Sequence, residues 1–102
     1  MNEFVIEISE AAIGDLKRII SWYHKKSAGL EDYIFENYIA ARKKITANPF
    51  VLSKINTGGN IRRAVIKKFP YSIYYSLFGK KITIISLIHF SRSNAYKKRR
   101  LK

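Results

Sequence analysis

The sequence predicts an α+β fold in which a small antiparallel β-sheet packs against an N-terminal helix hairpin. Apolar residues recur every three to four positions over residues 10–47, which is the period of amphipathic helices. From residue 61 onward the period changes to two, which is typical of strands. The chain has 102 residues, of which 47% are hydrophobic, a composition suited to one packed domain. We therefore expect a single domain over residues 1–102, with residues 91–102 as a short basic C-terminal segment.

The first half of the chain is predicted to contain one strand and two helices. Residues 3–9 are rich in β-branched side chains and predict a strand, and Ser9 is a suitable N-cap for a helix that continues to about residue 26. A second helical pattern covers residues 31–47. Asn48 and Pro49 end it, because the residue before a proline avoids helical angles. Two helices joined by a short loop form an antiparallel hairpin.

The second half is predicted to contain three strands, which complete the order β-α-α-β-β-β. Residues 53–60, SKINTGGN, indicate a loop, and the strands follow at residues 61–69, 71–77 and 82–90. Strands with such short connections pair as an antiparallel meander. The helix hairpin covers one sheet face, so Arg63, Lys67 and several tyrosines are expected to point outward from the other. The last residues are expected either to form a short helix or to fray.

The net charge of +13 is distributed unevenly along the chain. Residues 1–47 hold seven Lys/Arg and seven Asp/Glu, whereas residues 48–102 hold thirteen Lys/Arg and no acid. Cations without counter-charges concentrate anionic partners, among which nucleic acid is the commonest, although such charge also serves solubility. The cations expected to contact nucleic acid are Arg62, Lys68, Lys97, Lys98, Arg99 and Arg100.

The composition argues against several classes of site. Cysteine is absent, only two histidines are present, and no acid follows residue 47, so we expect no metal and no cofactor. Ser86 and Ser91 flank His89, but no acid lies nearby to orient the ring, which argues against a Ser–His hydrolase. We see neither a signal peptide nor an apolar run near the roughly 20 residues of a membrane span, and expect a cytoplasmic protein.

The remaining side chains suit RNA, which supplies its own nucleophile, the 2′-hydroxyl. A protein can then hold the phosphate, offset its growing charge with Lys and Arg, and move a proton with Tyr, His or Lys. Arg92 directly follows the last predicted strand, and Tyr96 and the later cations follow it. His89 ends that strand, where a single histidine is more often structural than catalytic.

The segment RRAVIKKFPYSIYYSLFGKKITIISLIHFSR, residues 62–92, resembles the RelE/ParE superfamily of type II toxin–antitoxin toxins, of the plasmid-stabilisation type. The resemblance extends back through SEAAIGDLKRI and the helix hairpin that ends in NPF. It implies the same α+β fold, and a cognate antitoxin that wraps and silences the toxin. RelE-like members cut mRNA inside the ribosome, whereas ParE-like members lack that site and poison DNA gyrase.

The resemblance assigns candidate site residues one by one. Arg63 and Lys67 match basic residues of the second strand of the family, and Arg92 matches the basic residue after its last strand. Tyr96 matches the C-terminal tyrosine of RelE-like members by its spacing from Arg92. Ser72 stands where many members have an arginine that is expected to hold the scissile phosphate.

These assignments predict that Arg63, Lys67 and Arg92 converge on one anion, with Tyr96 beside it and His89 as a further catalytic candidate. The leading interpretation is a toxin that inhibits translation by binding ribosome and mRNA. If it is an enzyme, it is a metal-independent mRNA endoribonuclease. One alternative is a gyrase poison without nuclease activity, which Ser72 and the His89-x-x-Arg92 spacing, similar to that of ParE-like members, both favour. The other is a non-toxic basic module that binds nucleic acid.

Overall fold

The computed structural model describes residues 3–50 and 60–101. Its elements are β1 (Val5–Ile8), α1 (Glu10–Lys26), α2 (Leu30–Ala47), β2 (Ile61–Val65), β3 (Tyr71–Phe78), β4 (Lys81–His89) and α3 (Asn94–Arg100). The predicted order β-α-α-β-β-β is confirmed, and a C-terminal helix follows it. The predicted loop at residues 53–60 lies, except for Asn60, outside the described residues. Within the described residues, no helix is long and apolar enough to cross a membrane.

The four strands form one sheet in the order β1-β4-β3-β2. The predicted antiparallel meander is present, since β3 pairs antiparallel with both β2 and β4. β1, however, pairs parallel with β4, with Val5 opposite Lys81 and Ile8 opposite Ile84, so the sheet is mixed. Sequence periodicity identifies a strand but does not tell which edge of the sheet it joins, or in which direction.

The helix hairpin packs on one face of this sheet. Ser9 caps α1 as predicted, because its hydroxyl accepts a hydrogen bond from the Ala12 amide at 3.1 Å. Apolar residues of both helices then meet the sheet in one core. Tyr75 is buried in this core and donates to the Pro49 carbonyl at 2.8 Å. Burial raises the pKa of Tyr75 to about 12, so this hydroxyl remains a donor at neutral pH.

The short helix α3 covers part of the opposite face, which corrects the expectation of outward-facing tyrosines. Tyr74 is only 3% exposed and clusters with Ile88 and with Leu101, the residue that follows α3. Tyr71 and Tyr75 belong to the hairpin side of the sheet. Of the two expectations for the last residues, the short helix is therefore the one observed, and Leu101 anchors this basic helix to the sheet.

The two cations predicted to share a strand face occupy different elements. Arg63 lies in β2 and is exposed as expected. Lys67 lies beyond the end of β2, in the turn that leads to β3, and its neighbour Lys68 has a positive φ of 71°. The alternation argument that aligned Arg63 with Lys67 therefore fails, because β2 ends at Val65.

Candidate functional site

A cleft of about 370 Å³ lies between helix α1 and the edge of the sheet at which β4 ends and β3 begins. One wall comes from α1 and the other from the end of β4, the turn after it and α3. The side chains that give the cleft its chemistry are Arg18, Trp22, Tyr71, His89, Arg92 and Tyr96. Three of these, His89, Arg92 and Tyr96, were predicted as site residues, and the fold brings them to one place.

Arg92 and Tyr96 are held together by local structure. The Arg92 amide donates to the His89 carbonyl at 3.1 Å, which forms a tight turn directly after β4. Ser93 then caps α3 by accepting from the Tyr96 amide at 3.1 Å. In this arrangement the Arg92 guanidinium carbon lies 4.6 Å from the centroid of the Tyr96 ring, a cation–π contact. The cleft therefore presents a cation beside an aromatic ring.

His89 lies at the end of β4 and contacts Tyr71. Its Nδ1 accepts a hydrogen bond from the Ser91 amide at 2.9 Å, which leaves Nε2 as the protonated nitrogen of the neutral ring. The ring meets Tyr71 edge-on, with centroids 5.0 Å apart. Burial raises the pKa of Tyr71, against a smaller opposing effect of Arg92, so its hydroxyl stays protonated at neutral pH. Tyr71 is thus a donor and a packing surface rather than a base.

Asp15 forms the floor of the cleft, and the sequence analysis did not identify it. Its side chain is 4% exposed, and its Oδ2 accepts from Ser86 Oγ at 3.0 Å and from the Leu87 amide at 3.1 Å. Arg18 pairs with Oδ1, and Arg100 Nη2 donates to Oδ2 at 2.6 Å. A signal was present, because Asp15 lies within the apolar stripe of α1 at helical spacing.

Arg100 belongs to this buried network, although it was predicted to contact nucleic acid. Besides Asp15 it reaches Tyr96, whose hydroxyl accepts from Arg100 Nη1 at 2.9 Å. The hydrogen bond with Asp15 raises the pKa of Arg100, which stays charged. Asp15, Arg100, Tyr96 and Arg92 therefore form a continuous chain of contacts from the floor of the cleft to its rim.

The other predicted cations lie outside the cleft. Arg63 and Lys67 are not among the residues that line it. Arg62 donates to the Phe50 carbonyl at 3.1 Å, and Lys68 Nζ lies 5.5 Å from the centroid of Tyr33. The remaining three are carried by α3, and these are Lys97, Lys98 and Arg99. The predicted convergence of three cations on one anion is thus represented in the cleft by Arg92 alone.

The charges and rings of the cleft suit an anion with a planar group. Among the described residues that line it, Asp15 is the only one with a carboxylate, and the guanidinium groups of Arg18 and Arg92 outnumber it; Arg100 contacts the same carboxylate. Within the described residues, no group of three or more His, Cys, Asp or Glu side chains is placed to hold a metal. Ser72, which stands where an arginine was expected, is 1% exposed and offers no cation to a ligand.

Comparison with known proteins establishes the fold. No protein-family model matches the chain, and no curated protein matches it. A solved chain described as "Chromosomal ParDE TA system from P. aeruginosa" superposes with a TM-score of 0.73 and 15% sequence identity. The match covers 87% of this chain and 98% of that chain. At this identity the similarity concerns the fold, and the predicted RelE/ParE-like architecture is confirmed.

Proposed function

We propose that this chain is the toxin of a type II toxin–antitoxin module and that its partner is a cognate antitoxin. The observation that carries the proposal is the fold shared with a chain of a ParDE TA system over 98% of that chain. The charge distribution supports it, because the acid-free residues 48–102 carry thirteen cations. Such a surface favours a polyanionic target and an acidic inhibitor.

For the target, we propose the translation machinery, which the toxin blocks by binding RNA. The support is the chemistry of the cleft, where Arg92 and Tyr96 place a cation and a ring side by side. Binding ranks ahead of cleavage in this proposal. Phosphoryl transfer needs several charges preorganised around one phosphate, whereas Arg63 and Lys67 do not line the cleft and Ser72 is buried.

A second target, DNA gyrase, is favoured by one specific observation. Ser72 provides no cation at a position where the resemblance to RelE-like nucleases implies an arginine. A gyrase poison of the ParE-like kind needs no nuclease site, so the absence of this arginine does not impair its function. The two targets differ in the first effect of the toxin on the cell. A toxin that acts on translation halts protein synthesis first, whereas a gyrase poison first causes DNA breaks.

For the antitoxin, we propose that an acidic segment pairs with the β2 edge of the sheet. β2 is an edge strand, and edge strands present unpaired backbone groups that a partner strand can satisfy. Arg63 and Val65 are both exposed on this strand, and Val65 is 54% exposed. Because Arg63 and Val65 lie on the same face of β2, a partner strand complements both when it carries an acidic and an apolar residue two positions apart.

The test is induced expression without a partner, with protein synthesis, mRNA cleavage and gyrase-linked DNA breaks measured separately. We expect growth arrest with loss of protein synthesis before any DNA break. Arg92→Ala should abolish the arrest, whereas Lys44→Ala, an equal charge change on the exposed side of α2, should not. Normal growth with abundant folded protein would contradict the toxin assignment. Early DNA breaks would select gyrase instead.

A further inference from the structure

We propose that the cleft binds one unpaired nucleotide of single-stranded RNA, with the base against Trp22 and the phosphate on Arg92 and Arg18. This inference rests on the proposed function, and it names the part of an RNA chain that binds in the same cleft. Its new element is α1, which supplies both Trp22 and Arg18 to the cleft. The sequence patterns singled out neither residue, because a surface position on an amphipathic helix accounts for each of them as well as a role in a binding site does.

The size and lining of the cleft match a single nucleotide. Its volume of about 370 Å³ lies at the lower end of the range of small-ligand pockets. Trp22 is 51% exposed, although burying so large a ring would be favourable. Its indole has an accessible surface in a cleft that Tyr71 and Tyr96 also line. Unpaired bases stack on such rings with little dependence on base identity.

The cations of the cleft are placed for a phosphate beside that ring. Arg18 and Arg92 are both exposed and both line the cleft. A guanidinium has five N–H donors, so the pairing of Arg18 with Asp15 leaves donors for a second anion. Lys26 does not line the cleft, but its Nζ lies 4.8 Å from the centroid of the Trp22 ring. A ligand that combines a planar ring with a phosphate uses Trp22, Arg18 and Arg92.

The buried network fixes these groups before a ligand binds. Asp15 holds Arg100, and Arg100 donates to the Tyr96 hydroxyl at 2.9 Å. The Tyr96 ring in turn carries the Arg92 guanidinium at 4.6 Å. Because Asp15 also pairs with Arg18, one carboxylate orients the cations of both walls. A preorganised pair of cations binds a phosphate more tightly than two mobile side chains do.

Trp22 is the only tryptophan in the chain, so its fluorescence reports on the cleft directly. The purified full-length chain is titrated with uridine 5′-monophosphate and adenosine 5′-monophosphate, and in parallel with inorganic phosphate and a hexaglutamate peptide. We expect both nucleotides to quench the fluorescence with similar affinity. Inorganic phosphate should compete more weakly, because it has no ring to stack. The peptide should compete least.

Variants separate the two halves of the contact. Arg92→Gln and Arg18→Gln should each weaken nucleotide binding roughly tenfold, since each removes a charged hydrogen bond. Lys80→Gln should have no effect, because Lys80 precedes β4 whereas Arg92 follows it, so the whole strand separates them. Trp22→Phe should keep most of the affinity in calorimetry, and Trp22→Ala should lose roughly tenfold. Circular dichroism verifies that each variant is folded.

Several results would overturn the proposal. These are an absence of quenching by either nucleotide, equal binding by both folded arginine variants, or competition by inorganic phosphate as strong as that by the nucleotides. Quenching by the peptide alone would assign the cleft to an acidic protein partner instead. If the chain arrests growth but binds no nucleotide, the nucleotide-binding role of the cleft is refuted and the toxin assignment stands. If the chain binds nucleotides but does not arrest growth, the toxin assignment is refuted and the nucleotide-binding role of the cleft stands.

Discussion

At the scale of single residues, two buried serines on neighbouring strands differ in whether their hydroxyl groups have a hydrogen-bond partner. Ser72 and Ser86 are 1% and 0% exposed. Ser86 Oγ donates to Asp15 at 3.0 Å, whereas Ser72 Oγ has no hydrogen-bond partner within the described residues. A buried polar atom without a partner loses its water and gains nothing in return. Ser72 is therefore a cost to stability at a position where the resemblance implies a functional side chain.

The two serines give a matched pair of substitutions. Ser72→Ala should raise the free energy of unfolding by about 1 kcal/mol, because it removes an unsatisfied hydroxyl. Ser86→Ala should lower it by about 1 kcal/mol or more, because it takes a donor from the buried carboxylate of Asp15. Urea denaturation measures both changes. A loss of stability in Ser72→Ala would mean that the hydroxyl has a partner such as a bound water.

Asp15 acts at the scale of elements, because its contacts connect α1, β4 and α3. The Ser9 and Asp15 side chains both form hydrogen bonds with β4 beyond the end of β1, where β4 has no neighbouring strand on that side among residues 3–50 and 60–101. Ser9 Oγ donates to the Ile85 carbonyl at 3.0 Å, and Asp15 accepts from the Leu87 amide at 3.1 Å. α1 thus continues the hydrogen bonding of the sheet where β1 stops. The same carboxylate holds α3 through Arg100.

Asp15→Ala should therefore destabilise the protein by about 3 kcal/mol, because it leaves a partly buried guanidinium and two buried donors without their acceptor. Asp32→Ala is the control at an exposed acid in the first turn of α2, where a change of at most about 1 kcal/mol is expected. Chemical denaturation compares them. Equal, small losses would show that Arg100 and Ser86 find other partners.

The helix hairpin has its own pH-sensitive contact at the junction of α1 and α2. Glu31 accepts from the Gly29 amide at 2.6 Å and pairs with His24 near the end of α1. A hydrogen bond from its own backbone amide, followed by the one with His24, lowers the pKa of Glu31 from its ordinary value of 4.5. Folding therefore favours the ionised form of this carboxyl group.

A lowered folded-state pKa contributes stability above the unfolded-state pKa, and this contribution is lost as the pH falls through the folded-state value. Glu31→Gln should consequently flatten the fall in melting temperature below about pH 4.5, with a small effect because Glu31 is only partly buried and its partner His24 is exposed. Thermal denaturation across this range tests it. Glu36→Gln, on the same helix, is the control, and an identical change there would remove Glu31 as the cause.

At the scale of the whole molecule, the two layers carry different charge. The helix hairpin holds most of the acids, and the meander and α3 hold cations without acids. Long-range attraction of a polyanion is therefore directed to the sheet side of the molecule. α3 contributes three cations to it, Lys97, Lys98 and Arg99, whereas Arg100 and Leu101 serve to attach the helix.

Replacing Lys97, Lys98 and Arg99 with glutamine should weaken RNA binding and flatten its salt dependence. The slope of log affinity against log salt should fall by roughly 0.7–0.9 for each phosphate contact that is lost. Substitution is preferable to truncation, because truncation would also remove Leu101 from the core. The matched control replaces Lys17, Lys43 and Lys44 on the hairpin. An equal slope change in both triple variants would contradict a directed surface.

The sequence by itself determined the first six elements, their order, the antiparallel meander and the cap at Ser9, whereas it left open whether the last residues form a helix. These features follow from the local geometry of the backbone, which repeats within a few residues and leaves a period in the side chains. The proximity of Arg92 and Tyr96 belongs with them, because one turn and the start of a helix separate the two residues.

Only the tertiary structure decided how these elements meet. It placed β1 parallel to β4, buried Tyr74 beneath α3, brought Trp22 to the cleft, and left Arg63 and Lys67 outside it. The pairing of Asp15 with Arg100 joins residues 85 positions apart. Such contacts depend on which faces of the helices and strands pack together in the core. A short stretch of sequence does not specify this, because the packing faces come from elements that are distant in the chain.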